Sequence, residues 1–516
     1  MISKKWVLAI LCALAVLWLQ FFRIDRPYLG HFASYQGTVM AEISRNMLRE
    51  NFSEIFLPKT DALIIEPRRT LHLNQYPFPS LLAGLGVKFF GGSLEFWGRF
   101  QAILFNFSSA VLLALIAAAL WGSMAGWAAG ILFLLAPFSL LYGQMFFSEP
   151  QAIFFLLLAF WILLRSKICD AGGWEIILSA FCFSVAATSR VHYVFFLPAY
   201  VFCAHQRTRR LLPPAVYAVI ALILPAIWYG FTYLILTAEP LCVHTTLFSQ
   251  VTASGGADAG TSIFTMSYWK HVALIFGGRM LTPMIFPFAL WGAALLFKNR
   301  QHGILFFLIG VGGLIPVFLL PQKILDHEFY LYGFFPFAIL AASFCISNLL
   351  AAGTRFVSPW SVAIFLLLLA MLSLRLSIHP MFSVSSGELR ALVAMNTAKR
   401  LSQPSDIFIV GGADTAPASY YLDRPSYGFS LKVPRTLPAY FRNRPFSVAD
   451  RALVDRMERV MQDDIAYVRY LKKLGASRML LIGRSHFESR PELIAYLRSK
   501  AIELSSSGDD FYLFSL

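Results

Sequence analysis

Charge is what this chain has least of. Of its 516 residues only 14% are Asp, Glu, Lys or Arg, against 58% hydrophobic, whereas an ordinary soluble domain is roughly 25% charged. That shortage excludes a soluble enzyme and makes the chain a polytopic membrane protein. Cysteine is equally thin. Of six in all, Cys12, Cys182, Cys203 and Cys345 sit in apolar runs, Cys169 in a short polar loop and Cys242 in a long one, so no disulfide framework or metal-ligand spacing emerges. Internal repeats and low-complexity stretches are missing too. The charge that is present is lopsided, with a net +15. Its basic residues cluster between apolar runs, as in cytoplasmic loops rather than a nucleic-acid-binding face. Membrane lipids are the expected surroundings, and nucleic acid is not an expected partner.

What the sequence does contain is a series of apolar runs, and their order yields a topology. Lys4 and Lys5 precede the run 6–22, which lacks a small-residue cleavage site and reads as a retained first helix with its N-terminus inside. The basic clusters at 165–167, 205–210, 298–300 and Arg355 are assigned to the cytoplasm. Counting back from Arg165 through the runs 154–164, 126–142 and 100–121 puts Arg99 outside. Residues 23–99 then form one external loop, and 79–90, too short for the roughly 20 apolar residues a span needs, is a surface helix. Counting forward through 174–188, 191–203, 216–236, 281–297, 304–320, 331–350 and 361–374 gives about eleven spans and an external C-terminus.

The first loop carries a second surface helix. Met40, Ile43, Met47 and Leu48 fall on one helical face, with Glu42, Arg45, Asn46 and Arg49 on the other, a pattern expected of a helix lying in the bilayer interface. From about His379 the texture changes. Short apolar runs at 407–410, 479–482 and 511–514 alternate with helical stretches near 450–474 and 491–500, which predicts a small α/β domain over 379–516 behind a membrane domain over 1–378. The turn GGAD, 411–414, lacks both the G-x-G-x-x-G spacing and a following helix start, and reads as a plain strand-to-loop turn.

The runs hold almost no ionisable residue near their middles, which argues against an ion-coupled transporter. The external side is richer. It gathers His31, Glu42, Asp61, Glu66, Arg68, Arg69 and His72 from the first loop, Glu149 from FFSEP (146–150), Arg190 from TSRV (188–191), and Lys323, His327, Glu328 and Tyr330 from PQKILDHEFY (321–330). Acidic, basic and imidazole groups together suit a lipid phosphate and a sugar. Polar residues also occur in external loops simply because water touches them.

The order of a first helix, a surface helix reading MAEISRNML (40–48), a second ending in FFG, an Arg opening the next span and FFSEP before a later one resembles the aminoarabinose transferases of lipid A. More broadly it resembles the protein O-mannosyltransferase superfamily, whose fold is called GT-C. The likeness covers roughly residues 6–351. It implies an α-helical polytopic membrane protein and a glycosyltransferase whose donor is a polyprenyl-phosphate-linked sugar, with a lipid, glycan or protein as acceptor. It also implies transfer at the outer face of a bacterial inner membrane. Arg190 falls where the family often has a Lys. Lys323 and Tyr330, with His327 beside them, fall where it has a basic residue and a Tyr. The resemblance makes these four donor-phosphate ligands and sets Glu149 where the family has an acid before Pro.

One departure bears on the mechanism. The family's usual candidate base, an Asp-Glu pair five positions before the Ala of the AEIS-like helix, is replaced by Gln36-Gly37, and an amide is too weak a base to take a proton. Two accounts stand open. Either the acceptor arrives ionised and Gln36 only orients the sugar, or Glu149 or Glu66 supplies the carboxylate. Asn74 stands where a family Glu would help to build a metal site, so participation of a divalent metal ion is left open. The alternative from another class is a non-catalytic scaffold or flippase-like component of glycolipid assembly.

Overall fold

The computed structural model describes residues 18, 20–21, 24–29, 31–63, 69–73, 75–165, 173–238, 263–298, 303–352, 359–430, 448–506 and 508–516. They divide into two compact units, one formed by Met1–Asp25, Arg99–Phe231 and Leu247–Met381, the other by Arg26–Gly98, Thr232–Thr246 and Phe382–Leu516. Most of the first expected span, 6–22, lies outside the described residues.

The first unit is helical. Among the described residues three helices are long and apolar enough to cross a membrane, Leu94–Trp121, Leu212–Leu236 and Phe335–Ala352, with a fourth if the pair Met266–Met280 and Thr282–Lys298, bent by 105°, counts as one. Other expected spans form shorter apolar helices, Trp174–Ser189 and Gly303–Leu319 among them, or are broken. Run 126–142 is divided between helices Ser123–Leu135 and Pro137–Tyr142. Pro137 has no N–H to continue the ladder, and its ring pushes Ala136 into an extended conformation. Run 191–203 begins instead as a tighter 3-10 turn, Val191–Phe196, before helix Leu197–Thr208.

The second unit is built on a six-stranded sheet. With β1 (Lys59–Thr60), β2 (Ala62–Leu63), β3 (Thr70–Leu71), β4 (Phe408–Gly411), β5 (Ser426–Phe429), β6 (Arg478–Ile482), β7 (Ile502–Glu503) and β8 (Phe511–Ser515), its order is β2-β5-β4-β6-β8-β7. Strands β2, β5, β4 and β6 run parallel, and β8 is antiparallel to both β6 and β7. Alternating side chains fill its two faces, as the period of two requires. Ile409, Met479, Leu481, Tyr512 and Phe514 pack with helices Val448–Val460, Asp464–Lys473 and Pro491–Lys500. Phe408, Val410, Leu480, Ile482 and Leu513 pack with helices Ser386–Arg400 and Thr415–Leu422.

Two expectations change here. The GGAD turn is followed at once by helix Thr415–Leu422, and Gly412, at φ +83°, takes a left-handed conformation whose Cβ would run into the Ile482 backbone. The first loop also folds into this unit rather than standing apart. Its β2 extends the sheet beside β5, and helix His31–Arg49 packs Val39, Ile43 and Met47 against Ala416. An interfacial helix would keep its polar face wet, yet Glu42 and Asn46 are as buried as Met40. The cause is a charge network. Arg45 reaches Asp61 and Asp423, both at 2.8 Å, while Arg49 and Arg69 reach Asp61 at 3.1 and 3.0 Å. Helix Phe78–Phe90 has 13 residues, about 20 Å of rise, short of the ~30 Å hydrocarbon core.

Glu42 has no cation of its own, since Arg45, 3.6 Å away, is shared with two aspartates. Burial therefore outweighs Arg45 and, with Asp61 adding repulsion, lifts the Glu42 carboxyl from its usual 4.5 to about 8. A folded-state value above the unfolded one contributes stability that is complete at low pH and is lost as pH rises from about 4.5 to about 8, at no more than roughly 1.4 kcal/mol per pH unit. Glu42→Gln, which mimics the neutral acid, should flatten that loss. Thermal midpoints of the parent and the variant across this range provide the check, and parallel curves would show that Glu42 is already ionised.

Candidate functional site

The charged groups of the first unit collect at the ends of its helices. Glu149 opens helix Glu149–Arg165, with Pro150 in the first turn, where proline lacks only an N–H that has no intrahelical partner. Arg190 is the C-cap of helix Trp174–Ser189, in an extended conformation that stops the helix before the 3-10 turn. The two helices are tied by Ser179 Oγ donating to the Ala159 carbonyl at 2.7 Å. Their ends bring Arg190 Nη2 against Glu149 Oε1 in an ion pair whose members are 12% and 0% exposed.

Rings enclose the pair. The Arg190 guanidinium lies 5.3 Å from the centroid of Phe329, in cation–π range. Phe329 stacks in turn on Tyr330 and His327, at 5.0 and 5.4 Å. Tyr330 and Tyr193 are within electrostatic reach of Arg190, and the His192 ring, buried, lies 5.2 Å from that of Tyr330. A second ion pair adjoins the cluster. Glu328 accepts from Arg279 at 2.7 Å and from the Tyr142 hydroxyl at 2.9 Å, and Tyr142 packs on Phe329.

Of the residues singled out from the sequence, Glu149, Arg190, Tyr330 and His327 thus share one cluster. Lys323 lies in helix Pro321–Asp326 of the same connecting segment, half-buried and without an ion pair among the described residues. Gln36 belongs to the second unit, where its amide oxygen is buried without a hydrogen-bond partner. Glu66 and Asn74 lie outside the described residues. Beside Gln36, Gly37 has no room for a side chain, since a Cβ there would fall 2.5 Å from the Tyr28 ring. Among the described residues no three His, Cys, Asp or Glu side chains group as metal ligands.

Sequence reasoning passed over Arg279, whose only signal was a lone cation between apolar runs. It sits in a one-turn π-helix, Ile275–Met280, at the 105° bend, a geometry frequent at functional sites. In the same π-helix Phe276 lines an apolar cavity of about 330 Å³, with Phe286, Phe297, Phe306, Phe334 and Phe337 among its other walls. The same short helix thus carries a cation and one wall of an apolar hollow. Chemically, the cluster can neutralise a phosphate with guanidinium groups and supply a carboxylate as proton acceptor.

A buried pair is costly to halve, because the surviving charge stays out of water, at about 3–5 kcal/mol. Arg190→Met should therefore lower stability by that order. Adding Glu149→Gln to it should restore most of the loss, as read from denaturation of the detergent-solubilised protein. Additive losses would mean that the two charges do not depend on each other.

No family model matches the chain, and no curated protein does. Solved structures do match. ArnT from Cupriavidus metallidurans, bound to undecaprenyl phosphate, aligns over 99% of this chain and 98% of its own at a TM-score of 0.65 and 13% identity. The oligosaccharyltransferase AglB from Archaeoglobus fulgidus, in complex with an inhibitory peptide and a dolichol-phosphate, covers 98% of this chain and 74% of its own at 0.58 and 12%. The arabinofuranosyltransferase AftD from Mycobacteria spans all of this chain with 40% of its own length at 0.59 and 14%. At such identities the likeness is one of fold, and the fold of this chain is the GT-C fold shared by ArnT, AglB and AftD.

Proposed function

We propose that the protein is a glycosyltransferase that moves a sugar from a polyprenyl-phosphate donor to a lipid, glycan or protein acceptor. It works at the outer face of a bacterial inner membrane, with its C-terminal domain in the periplasm. The observation that carries this reading is the buried Glu149–Arg190 pair, set among Tyr330, His327 and Phe329 in a fold whose solved members include one bound to undecaprenyl phosphate and one in complex with a dolichol-phosphate.

In the reaction an acceptor hydroxyl oxygen attacks the anomeric carbon, and the bond from that carbon to the phosphate oxygen breaks. The polyprenyl phosphate departs with the bonding electrons, and the hydroxyl proton passes to a carboxylate. Arg190 stabilises the charge growing on the leaving phosphate, for which its planar fork is suited. Lys323, Tyr330 and His327 complete the phosphate's surroundings. The isoprenoid tail lodges in the apolar cavity beside Arg279. Glu149 is the base we favour, because it stands beside the phosphate-binding Arg190. Glu66 is the other candidate, and an acceptor that is itself a phosphate needs neither.

Glu149→Gln keeps shape and hydrogen bonding without charge, so the folded variant should bind donor but lose turnover by about 100-fold or more, as removal of a general base does. Sugar transfer from a radiolabelled polyprenyl-phosphate donor, using membranes that carry each variant, measures it. Parental turnover would move the search to Glu66 or to an ionised acceptor. Arg190→Ala and Lys323→Ala should each weaken transfer by about 1.5–3 kcal/mol, the worth of a hydrogen bond to a charged group. A reporter active only in the cytoplasm, fused after Leu516, should be silent, and activity there would overturn the periplasmic placement.

A further inference from the structure

The Glu149–Arg190 contact is a poor match for an arginine. A guanidinium offers five N–H donors in a flat fork, and here Nη2 meets Glu149 Oε1. Neither carboxylate oxygen, nor Nε or Nη2, has an aligned hydrogen-bond partner. The guanidinium carbon lies over the Phe329 ring, 5.3 Å from its centroid. The exposure is unequal as well. The Arg190 side chain keeps 12% of its surface exposed while Glu149 keeps none. Nε and Nη2 are buried, so an incoming anion reaches the remainder of the Arg190 side chain before it reaches the carboxylate.

Tyr193 is the third member of this arrangement. Its hydroxyl is completely buried and has no hydrogen-bond partner, and it lies within electrostatic reach of both Glu149 and Arg190. A buried hydroxyl left unsatisfied is costly. It is a ready donor for a carboxylate that has just lost its guanidinium.

We propose that Glu149 is an internal counter-ion occupying the phosphate seat of Arg190, that a polyprenyl phosphate displaces it by taking the guanidinium fork, and that Tyr193 receives the released carboxylate. The proposal rests on the reading of Arg190 as a donor-phosphate ligand. It adds that donor binding and exposure of the carboxylate are one event, so no free carboxylate stands in the site before the donor arrives. No covalent bond changes in this step. The paired form is a competing state, and a ligand that needs the open form binds more weakly in proportion to how rarely that form is populated. Tyr193 is a positioning residue here, since it acts through Glu149.

The test is equilibrium binding of undecaprenyl phosphate, without sugar or acceptor, to the full-length protein in nanodiscs. Removing the competing charge with Glu149→Gln should tighten binding about tenfold, and Arg190→Ala should weaken it by about tenfold or more. The double variant Glu149→Gln/Arg190→Ala should bind no tighter than Arg190→Ala alone. Tyr193→Phe removes only an unpartnered hydroxyl and should fold. It should weaken binding about threefold to tenfold in the parent and have no effect beside Glu149→Gln. If the parent binds but Glu149→Gln binds at parental affinity, or its gain survives Arg190→Ala, displacement is overturned while the donor reading stands. Should Glu149→Gln not fold, unchanged binding by Tyr193→Phe overturns displacement alone. If the parent itself does not bind undecaprenyl phosphate, the donor reading falls and the displacement falls with it.

Discussion

Taking a carboxylate and a guanidinium out of water costs several kcal/mol for each ion, and the first unit does so where almost everything else is hydrocarbon. Glu149 and Arg190 can be buried there only because the start of one helix and the end of another are held side by side. The packing that holds them is made of small and aromatic groups. Ser179 bonds across to Ala159, and the Tyr200 hydroxyl bonds to the Leu156 carbonyl at 2.8 Å. The rings around Arg190 have the same origin, since a desolvated guanidinium gains from an aromatic face that asks for no hydrogen bond in return. Site and scaffold are therefore one arrangement.

The second unit solves a similar problem differently. Asp61, 1% exposed, draws Arg45, Arg49 and Arg69 onto one carboxylate. Arg45 and Arg49 also bind Asp423, beyond helix Thr415–Leu422. This shared network fastens the first loop to the C-terminal sheet, and its cost falls on Glu42. With Arg45 committed elsewhere, Glu42 is buried as the neutral acid. The balance of buried charge, more than apolar periodicity, explains why Glu42 and Asn46 on helix His31–Arg49 are buried.

How much of this the sequence carried depends on the range of the forces involved. The short apolar runs at 407–410, 479–482 and 511–514 coincide with β4, β6 and β8, because a strand's pattern is local. A two-residue strand is a different matter. Ala62–Leu63 joins the sheet through backbone bonds to a strand some 360 residues later in the chain, and two residues carry no readable period. Charges in apolar surroundings were legible for the opposite reason. Glu149 and Arg190 stood out singly, and in a chain so poor in charge a pair of opposite sign has few other ways to be satisfied. Arg279 escaped notice because its meaning comes from the π-turn and the bend, neither of which has a sequence signature. The amphipathic reading of helix His31–Arg49 identified the apolar stripe correctly but assigned the other face to water, since periodicity alone does not distinguish water from a network of arginines.

The same shortage of uncommitted cations bears on Gln36. That residue stands on helix His31–Arg49, whose next acidic residue, Glu42, already lacks a cation of its own, and its amide oxygen is buried. A carboxylate at 36 would add another negative charge to a unit whose nearby arginines are committed to Asp61 and Asp423. Glutamine keeps a hydrogen-bonding group at that place and removes the need for a counter-ion. Its neighbour Gly37 leaves room for Tyr28, which no acid could do. A proton acceptor, where transfer requires one, is better placed where a guanidinium already compensates it. Glu149 beside Arg190 meets that condition.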